Sequence, residues 1–163
     1  GAGAAVVGPR EVPGIGPVVW GSDGEQYDLI RQREDWRDVV AAGSPRMPHL
    51  VMQGNAVFRW AAFEMSKVAR AAVDRAGIRL EDLDLFVPHQ ANMRITDVMV
   101  RTLGLPERVV VARDIAEQGN TSAASIPLAL DHAVRAGQVK KGDTLLLEGV
   151  GGGFTWGAVL LDF

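Results

Sequence analysis

The feature that most constrains the fold is a repeated alternation of apolar, strand-like segments with helical segments that end at a glycine. Apolar residues recur at helical spacing over residues 57–76, 92–103 and 122–136, and a glycine directly follows each stretch. Glycine ends helices readily because it adopts the left-handed backbone conformation that a helix end requires. Strand-length apolar segments at 83–87 and 109–111 separate the helices. This order predicts an α/β fold in which helices cover a mixed β-sheet.

Further strands are predicted near both ends of the chain. Residues 4–8 and 15–20 have strand-like sequences. Thr144–Glu148 and Thr155–Asp162 are apolar and flank a short glycine-rich turn, which is typical of a β-hairpin.

Two features interrupt the regular alternation. Residues 21–48 are polar and irregular, with one helical turn predicted at 36–39, and a short strand is predicted within 49–53. Long ordered loops of this kind are often functional.

Pro127 lacks the amide hydrogen that an interior helical position needs. The last helix is therefore expected either to start near Ser125 or to bend there.

The composition narrows the functional classes. The 163 residues carry a net charge of −3 and have a pI of about 5.6, whereas general binders of nucleic acid or of anionic membranes are usually basic. No apolar run approaches the ~20 residues of a membrane-spanning helix. The chain has no cysteine, which excludes disulfides, thiolate zinc ligands and a thiol nucleophile within it. We therefore expect a cytoplasmic protein that binds neither nucleic acid nor a membrane, with further sequence before Gly1.

Two polar segments lie between the end of a predicted strand and the start of a helix, where ligands bind in open α/β sheets. One is Pro-His-Gln-Ala-Asn at 88–92, and the other is Gly-Asn-Thr-Ser-Ala-Ala-Ser at 119–125. A neutral imidazole at His89 and a carboxamide at Asn120 would supply two N–H donors, which suit a developing oxyanion. The alternative interpretations are a structural histidine and a turn with an N-cap.

Three consecutive glycines at 151–153 exceed what a hairpin turn needs. They either aim a backbone N–H at a ligand or form a flexible turn. No Lys-Ser or Lys-Thr follows them, so they do not form a phosphate-binding loop. The histidines lack metal-ligand spacing, so no metal site is predicted, and the Gly-x-Ser-x-Gly motif of serine hydrolases is absent from the sequence.

Basic residues recur on two predicted helices. They form either a solvated face or a docking patch for an acidic partner, where the gain is mostly in the rate of encounter. These residues are Arg59, Lys67, Arg70, Arg94 and Arg101.

Three motifs in this order resemble the C-terminal half of a β-ketoacyl-[acyl-carrier-protein] synthase III, the initiating condensing enzyme of fatty-acid synthesis. They are Val-Pro-His-Gln-Ala-Asn-Met-Arg-Ile at 87–95, Gly-Asn-Thr-Ser-Ala-Ala-Ser-Ile-Pro at 119–127 and Gly-Gly-Gly-Phe-Thr-Trp-Gly at 151–157. The Gly-Ala-Gly-Ala start at 1–4 and the Gly-Asn-x-Val-Phe segment at 54–58 also agree with the family.

The resemblance implies a thiolase-like α/β fold of two similar halves, each a mixed β-sheet layered with α-helices, of which this chain would be the second. Residues 1–20 would contain the end of the N-terminal half and connecting strands. Residues 21–53 would form an excursion on the substrate side, and residues 54–163 would form the C-terminal half itself.

The family transfers a short acyl group from acyl-CoA to a cysteine and condenses it with malonyl-[acyl-carrier protein], with loss of CO₂. The resemblance implies that His89 and Asn120 bind the malonyl thioester oxygen and stabilise the enolate, and that the Gly152 N–H contributes to the oxyanion hole. It implies no cofactor beyond the substrates acyl-CoA and malonyl-[acyl-carrier protein], and it implies a homodimer.

The resemblance also assigns two binding surfaces. The contact with acyl carrier protein would comprise Gln90, Ala91, Asn92, Met93, Arg94 and Arg59. The CoA and pantetheine tunnel would be lined by Gly54, Asn55, Phe58, Ala91 and Asn92.

Two departures from the family pattern matter. The nucleophilic cysteine of the family belongs to the first half, so this chain alone is not expected to form the acyl-enzyme. Val150 stands where many members have Phe, which puts the local shape of the decarboxylation pocket in question. Two alternatives stay open: a polyketide priming ketosynthase, and a non-catalytic fragment that binds CoA or the carrier protein.

Overall fold

The computed structural model describes residues 1–43 and 47–163, and it contains seven strands in two sheets. The strands are β1 (Val19–Ser22), β2 (Ile30–Gln32), β3 (Leu50–Met52), β4 (Leu85–Pro88), β5 (Val110–Val111), β6 (Thr144–Gly151) and β7 (Thr155–Asp162). Five of them form the main sheet in the order β1-β7-β6-β4-β5, and β2 pairs with β3 in a small second sheet.

The main sheet is mixed, as the alternation of strands and helices predicts. β4 runs parallel to β5 and to β6, whereas β7 runs antiparallel to β6 and to β1. β6 and β7 form the predicted hairpin, and β6 extends three residues beyond the predicted end, as far as Gly151.

Three of the α-helices cover the two faces of this sheet. In chain order the helices are α1 (Trp36–Ala41), α2 (Gly54–Arg75), α3 (Met93–Leu103), α4 (Ile115–Gln118) and α5 (Ser125–Arg135). Those that cover the sheet are α2, α3 and α5. Residues of α2 and α3 pack with Phe86 and Leu146 in one apolar cluster, and residues of α5 pack with Leu85 and Leu145 in another. Because neighbouring strand residues point to opposite faces, the sheet is buried between two helical layers. None of the helices in the described ranges is long and apolar enough to span a membrane.

The predicted helix ends are confirmed. Gly77, Gly104 and Gly137 all have φ near +70°, the left-handed conformation that terminates a helix. α5 starts at Ser125, the first of the two predicted alternatives. Pro127 is the third residue of this helix, where a backbone amide has no helical acceptor, so its missing hydrogen costs nothing.

The N-terminal strands differ from the prediction. Residues 4–8 form no strand and are exposed, because among the described residues nothing pairs with their backbone. Instead of a strand over 15–20, a single bridge joins Ile15 to Leu161, and β1 starts only at Val19. Pro17 lies between them and has no N–H to donate, which interrupts the ladder.

The predicted excursion has more secondary structure than its polar sequence suggests. The predicted helical turn is α1, and the predicted short strand is β3. A 3₁₀ helix at Gly24–Leu29 and the strand β2 are additional. Residues 44–46 of this segment lie outside the described residues.

Truncation of Phe86 tests the core. Phe86 is fully buried in the interior strand β4, so Phe86→Ala should lower the free energy of unfolding by about 3–5 kcal/mol. Phe63 on α2 is 57% exposed, and the matched change Phe63→Ala should cost no more than about 1 kcal/mol. Urea unfolding of the 163-residue chain measures both values. Equal losses for the two variants would contradict this packing.

Candidate active site

The carboxyl ends of two parallel strands, β4 and β6, meet at one edge of the sheet. Pro88 pairs with Glu148, and the next residue, His89, donates its backbone N–H to the Glu148 carbonyl at 2.7 Å. His89 therefore lies directly after the strand, as predicted, and it is half-buried. This edge is the usual place for a ligand in an open α/β sheet.

The His89 ring is held by Ser125, the first residue of α5. The distance from His89 Nδ1 to Ser125 Oγ is 2.6 Å, and the Gln90 backbone N–H donates to the same oxygen at 3.1 Å. The Gln90 amide can only donate, so Ser125 Oγ accepts that bond and has one proton of its own to give. Ser125 is buried, and the described residues offer this proton no acceptor other than His89 Nδ1. Nδ1 is therefore unprotonated, and the proton of the neutral ring is on Nε2.

Burial also keeps this imidazole uncharged. It lowers the pKa of His89 below its ordinary value, because a charged ring is poorly solvated in a buried position. At neutral pH, His89 thus presents an Nε2–H donor without a positive charge. This is the protonation state that its predicted role as an oxyanion donor requires.

The orientation of the Asn120 amide is set by the turn that follows it. Asn120 Oδ1 accepts a hydrogen bond from the Ser122 backbone N–H at 2.9 Å. Ser122 has a φ of 58°, in the left-handed region that non-glycine residues rarely adopt. Because Oδ1 is engaged, the Nδ2 group is the part of the carboxamide that is free to donate to a ligand.

The two predicted catalytic side chains are linked through one segment. Asn120 lies five residues before Ser125, which contacts His89 directly. In the part of the chain that the structure describes, no hydrogen bond joins His89 to Asn120, and Asn120 is exposed. Their joint action on one oxygen therefore stays a prediction.

The glycine triplet forms a fixed turn. Residues Gly152–Phe154 make a 3₁₀ turn between β6 and β7, in which Phe154 is fully buried with φ 52°. The Trp60 ring packs edge-on against Phe154 with a centroid distance of 4.6 Å, and the Asp23 N–H donates to the Phe154 carbonyl at 3.0 Å. Gly152 is exposed on this anchored turn, and its predicted oxyanion-hole role stays a prediction.

Gln90 does not fit its predicted contact with a carrier protein. Its side chain is 1% exposed. Its Nε2 donates to the carbonyls of Pro88 (2.7 Å) and Ala112 (3.2 Å), and its Oε1 accepts the Ile115 N–H (3.1 Å). A buried amide with these partners braces the loop after β4 from inside, so the prediction for this side chain is corrected.

The other predicted surface residues lie along α2 and α3. Gly54 and Asn55 are exposed in the first turn of α2, and Phe58 follows on the same helix. A groove of about 490 Å³ brings Phe58 together with Arg94 of α3.

The remaining predicted residues lie around the start of α3. Ala91 is half-buried, Asn92 caps α3 by accepting the Arg94 N–H, and Met93 contacts Arg113. Arg59 is exposed on α2. These placements allow the predicted contacts without testing them.

A small cavity beneath His89 contains an acidic residue that sequence reasoning did not identify. The cavity has a volume of about 20 Å³, and Glu148 lines it together with His89. Glu148 is 1% exposed. Its position after three consecutive leucines in a strand was the one available signal, because a charged residue inside an apolar run is rarely buried without a reason.

Comparison with known proteins gives a consistent result. The family model described as "3-Oxoacyl-[acyl-carrier-protein (ACP)] synthase III C terminal" matches residues 73–163. The chain is 54% identical over 158 residues to a β-ketoacyl-[acyl-carrier-protein] synthase III of Streptomyces glaucescens, with 97% of this chain and 47% of the relative covered. A relative from Streptomyces coelicolor is 51% identical, with coverage of 99% and 50%. The chain spans about half the length of the curated relatives it matches.

Solved structures agree with these matches. The priming β-ketosynthase from the R1128 polyketide biosynthetic pathway superposes with a TM-score of 0.89 at 48% identity, covering 94% of this chain and 46% of that chain. A 3-oxoacyl-(acyl carrier protein) synthase III from Pseudomonas aeruginosa PAO1 gives a TM-score of 0.82 at 43% identity, with coverage of 90% and 45%. The predicted thiolase-like fold is thereby confirmed.

The role of Ser125 is testable by removing its hydroxyl. Ser125→Ala should cost about 1–3 kcal/mol of stability, because the Gln90 N–H loses its acceptor in a buried position. It should also increase the fraction of the His89 ring that is protonated on Nδ1, which ¹⁵N NMR of the imidazole measures. Ser66→Ala is the matched control, since the buried Ser66 hydroxyl contacts only the Ala62 carbonyl, at 3.4 Å. A His89 spectrum that is the same in both variants would refute the tautomer assignment.

Proposed function

The chain belongs to the 3-oxoacyl-[acyl-carrier-protein] synthase III family, and on that premise we propose that it is the C-terminal half of an initiating condensing enzyme of fatty-acid biosynthesis. The reaction is a decarboxylative Claisen condensation of a short acyl-CoA with malonyl-[acyl-carrier protein]. It releases CO₂ and CoA and yields 3-oxoacyl-[acyl-carrier protein].

The observation that carries this proposal is the fixed state of His89, an uncharged ring with its proton on Nε2. When the malonyl group loses CO₂, the electron pair of the broken bond is delocalised onto the thioester oxygen. His89 Nε2–H and Asn120 Nδ2–H donate hydrogen bonds to that oxygen and stabilise the enolate. The enolate carbon then attacks the acyl thioester, and the enzyme thiolate leaves.

The acyl-transfer steps need groups that this chain does not contain. Its 163 residues include no cysteine, so the nucleophile comes from an N-terminal half, and the Gly152 N–H helps to hold the oxyanion of the acyl transfer. Large apolar side chains on the surface, among them Val6, Trp20 and Leu50, support burial against that half and against the second copy of a homodimer. We place this enzyme in the cytoplasm.

The substrates approach along α2 and α3 in this proposal. Gly54, Asn55 and Phe58 line the path of the pantetheine arm, together with Ala91 and Asn92. Arg59 and Arg94 are exposed near its mouth, with Met93 beside them, and they attract an acidic carrier protein mainly by raising the rate of encounter. Gln90 takes no direct part, because it is buried.

A second candidate function is the priming of polyketide synthesis. The superposition with a priming β-ketosynthase supports it. The two functions differ in the starter unit or acceptor, so turnover of acetyl-, isobutyryl- and longer acyl-CoA by the full-length protein distinguishes them.

The missing cysteine supports a third hypothesis, in which the chain is a fragment that binds CoA or carrier protein without turnover. Thioester formation by the full-length protein would exclude this hypothesis.

The proposal is tested by His89→Ala in the full-length protein that contains this chain. Loss of one oxyanion donor should lower the rate of malonyl decarboxylation and condensation about a hundredfold or more. Acyl loading from acyl-CoA should be affected less. Radiolabelled malonyl-[acyl-carrier protein] measures the condensation, and mass spectrometry of the acyl-enzyme measures the loading.

His132→Ala is the matched control. His132 lies on α5, whose first residue contacts His89, but it is exposed and its ring pairs with Asp114 at 2.7 Å. This variant should keep the wild-type condensation rate. If His89→Ala condenses malonyl groups as fast as His132→Ala, the proposed mechanism is wrong.

A further inference from the structure

Glu148 is a buried acid whose carboxyl group is left unsatisfied within the part of the chain that the structure describes. It shares one face of β6 with Leu146 and Val150, and its strand neighbours are Pro88 on β4 and Ala158 on β7. Among the described residues, neither of its carboxyl oxygens has a hydrogen-bond partner of ordinary geometry, and the nearby Ala69 backbone interacts with the group without satisfying it. An ionised carboxylate in such surroundings is strongly disfavoured relative to the neutral acid.

The cavity beside Glu148 places this acid next to the imidazole. α2 contributes Ala61 and Met65 to its lining, and α3 contributes Ile95 and Met99. Among the lining residues that the structure describes, His89 and Glu148 are the only titratable ones. No other charge on the packed elements therefore faces Glu148 in this cavity.

The size and polarity of the cavity suit one water molecule. A volume of about 20 Å³ exceeds the roughly 10–15 Å³ that a water needs. A buried water also needs at least two polar partners. The Glu148 carboxyl and the His89 ring supply them, and the other side chains that line the cavity are apolar.

We propose that Glu148 is a positioning residue of the active site, a neutral carboxylic acid that holds one water molecule between itself and His89. This inference rests on the proposed function. In the resting enzyme the acid donates its O–H to the water, and the water accepts the Nε2–H of the imidazole, whose Nδ1 is already fixed by Ser125. The thioester oxygen takes the place of this water on Nε2–H when the malonyl group binds. Ionisation of Glu148 would place a negative charge beside the ring, favour imidazolium and repel the enolate oxygen.

The expected pH dependence has a definite sign. Burial raises the pKa of Glu148 well above its ordinary value, and the backbone of Ala69 opposes this shift without reversing it. The unfolded chain therefore releases this proton at a lower pH than the folded chain does. Stability is lost as the pH rises above the unfolded pKa and continues to fall towards the folded pKa. In the Glu148→Gln variant this contribution to the fall of stability with pH should be absent, so the variant should be more stable than wild type at neutral pH.

Two size-matched variants of the full-length protein separate the hydrogen bond from the charge. Glu148→Gln keeps a neutral donor, and Glu148→Leu removes it. Glu148→Gln should retain the condensation rate within about twofold, whereas Glu148→Leu should lower kcat about tenfold, the effect of one lost buried hydrogen bond. Circular dichroism checks that both variants fold.

Two spectroscopic readouts do not depend on activity. The infrared spectrum at neutral pH should show the C=O stretch of a protonated carboxylic acid that is lost in Glu148→Gln. The NMR-determined pKa of His89 should be the same in wild type and Glu148→Gln, because a neutral acid contributes no charge.

A carboxylate band of the wild type that is lost in Glu148→Gln, or a His89 pKa that falls in Glu148→Gln, would overturn the inference. A Glu148→Leu enzyme as fast as wild type would do the same. A full-length wild-type protein without condensing activity would instead overturn the proposed function, and the infrared and NMR results would then decide the state of Glu148 by themselves.

Discussion

The parallel pairing of β4 with β6 is the constraint on which the rest of the site depends. It aligns Pro88 with Glu148, so the polypeptide leaves the sheet at His89 with its backbone bonded to the neighbouring strand. α5 packs against these two strands, and its first residue, Ser125, contacts both the His89 ring and the Gln90 amide. The strand pairing thus fixes where the imidazole leaves the sheet, and the helix packed on those strands fixes its ring.

In the proposed function, the chain supplies one side of a reaction site. Its donors are oriented by bonds within these residues: His89 through Ser125, Asn120 through Ser122 and the glycine turn through Phe154 and Trp60. Orientation by local bonds means that little rearrangement is needed when charge develops, which is how preorganised donors stabilise a transition state. The nucleophile and the opposite wall belong to the half that we propose to precede this chain.

Much of the fold could be predicted from the sequence because its signals are local. The glycine after each helix and the proline at 127 act through the backbone of only a few residues, and the helix ends and the start of α5 lie where these residues predict. The strand predicted at 4–8 was wrong, because a strand needs a neighbouring strand to pair with and the pattern of apolar residues does not reveal whether one is present. The contact predicted for Gln90 was wrong, and Glu148 was not identified, for a related reason. Both are polar residues buried by tertiary packing, and only the three-dimensional structure shows whether their hydrogen bonds are satisfied.

The Gln90 side chain has a dynamic consequence. Its amide spans the end of β4, the residue that follows β5 and the first turn of α4. Breaking one of these contacts leaves a buried polar group without a hydrogen-bond partner, which is unfavourable. We therefore expect the three segments to open together as one cooperative unit. Slow amide exchange at Ile115 and at Ala112 should therefore share a single opening rate.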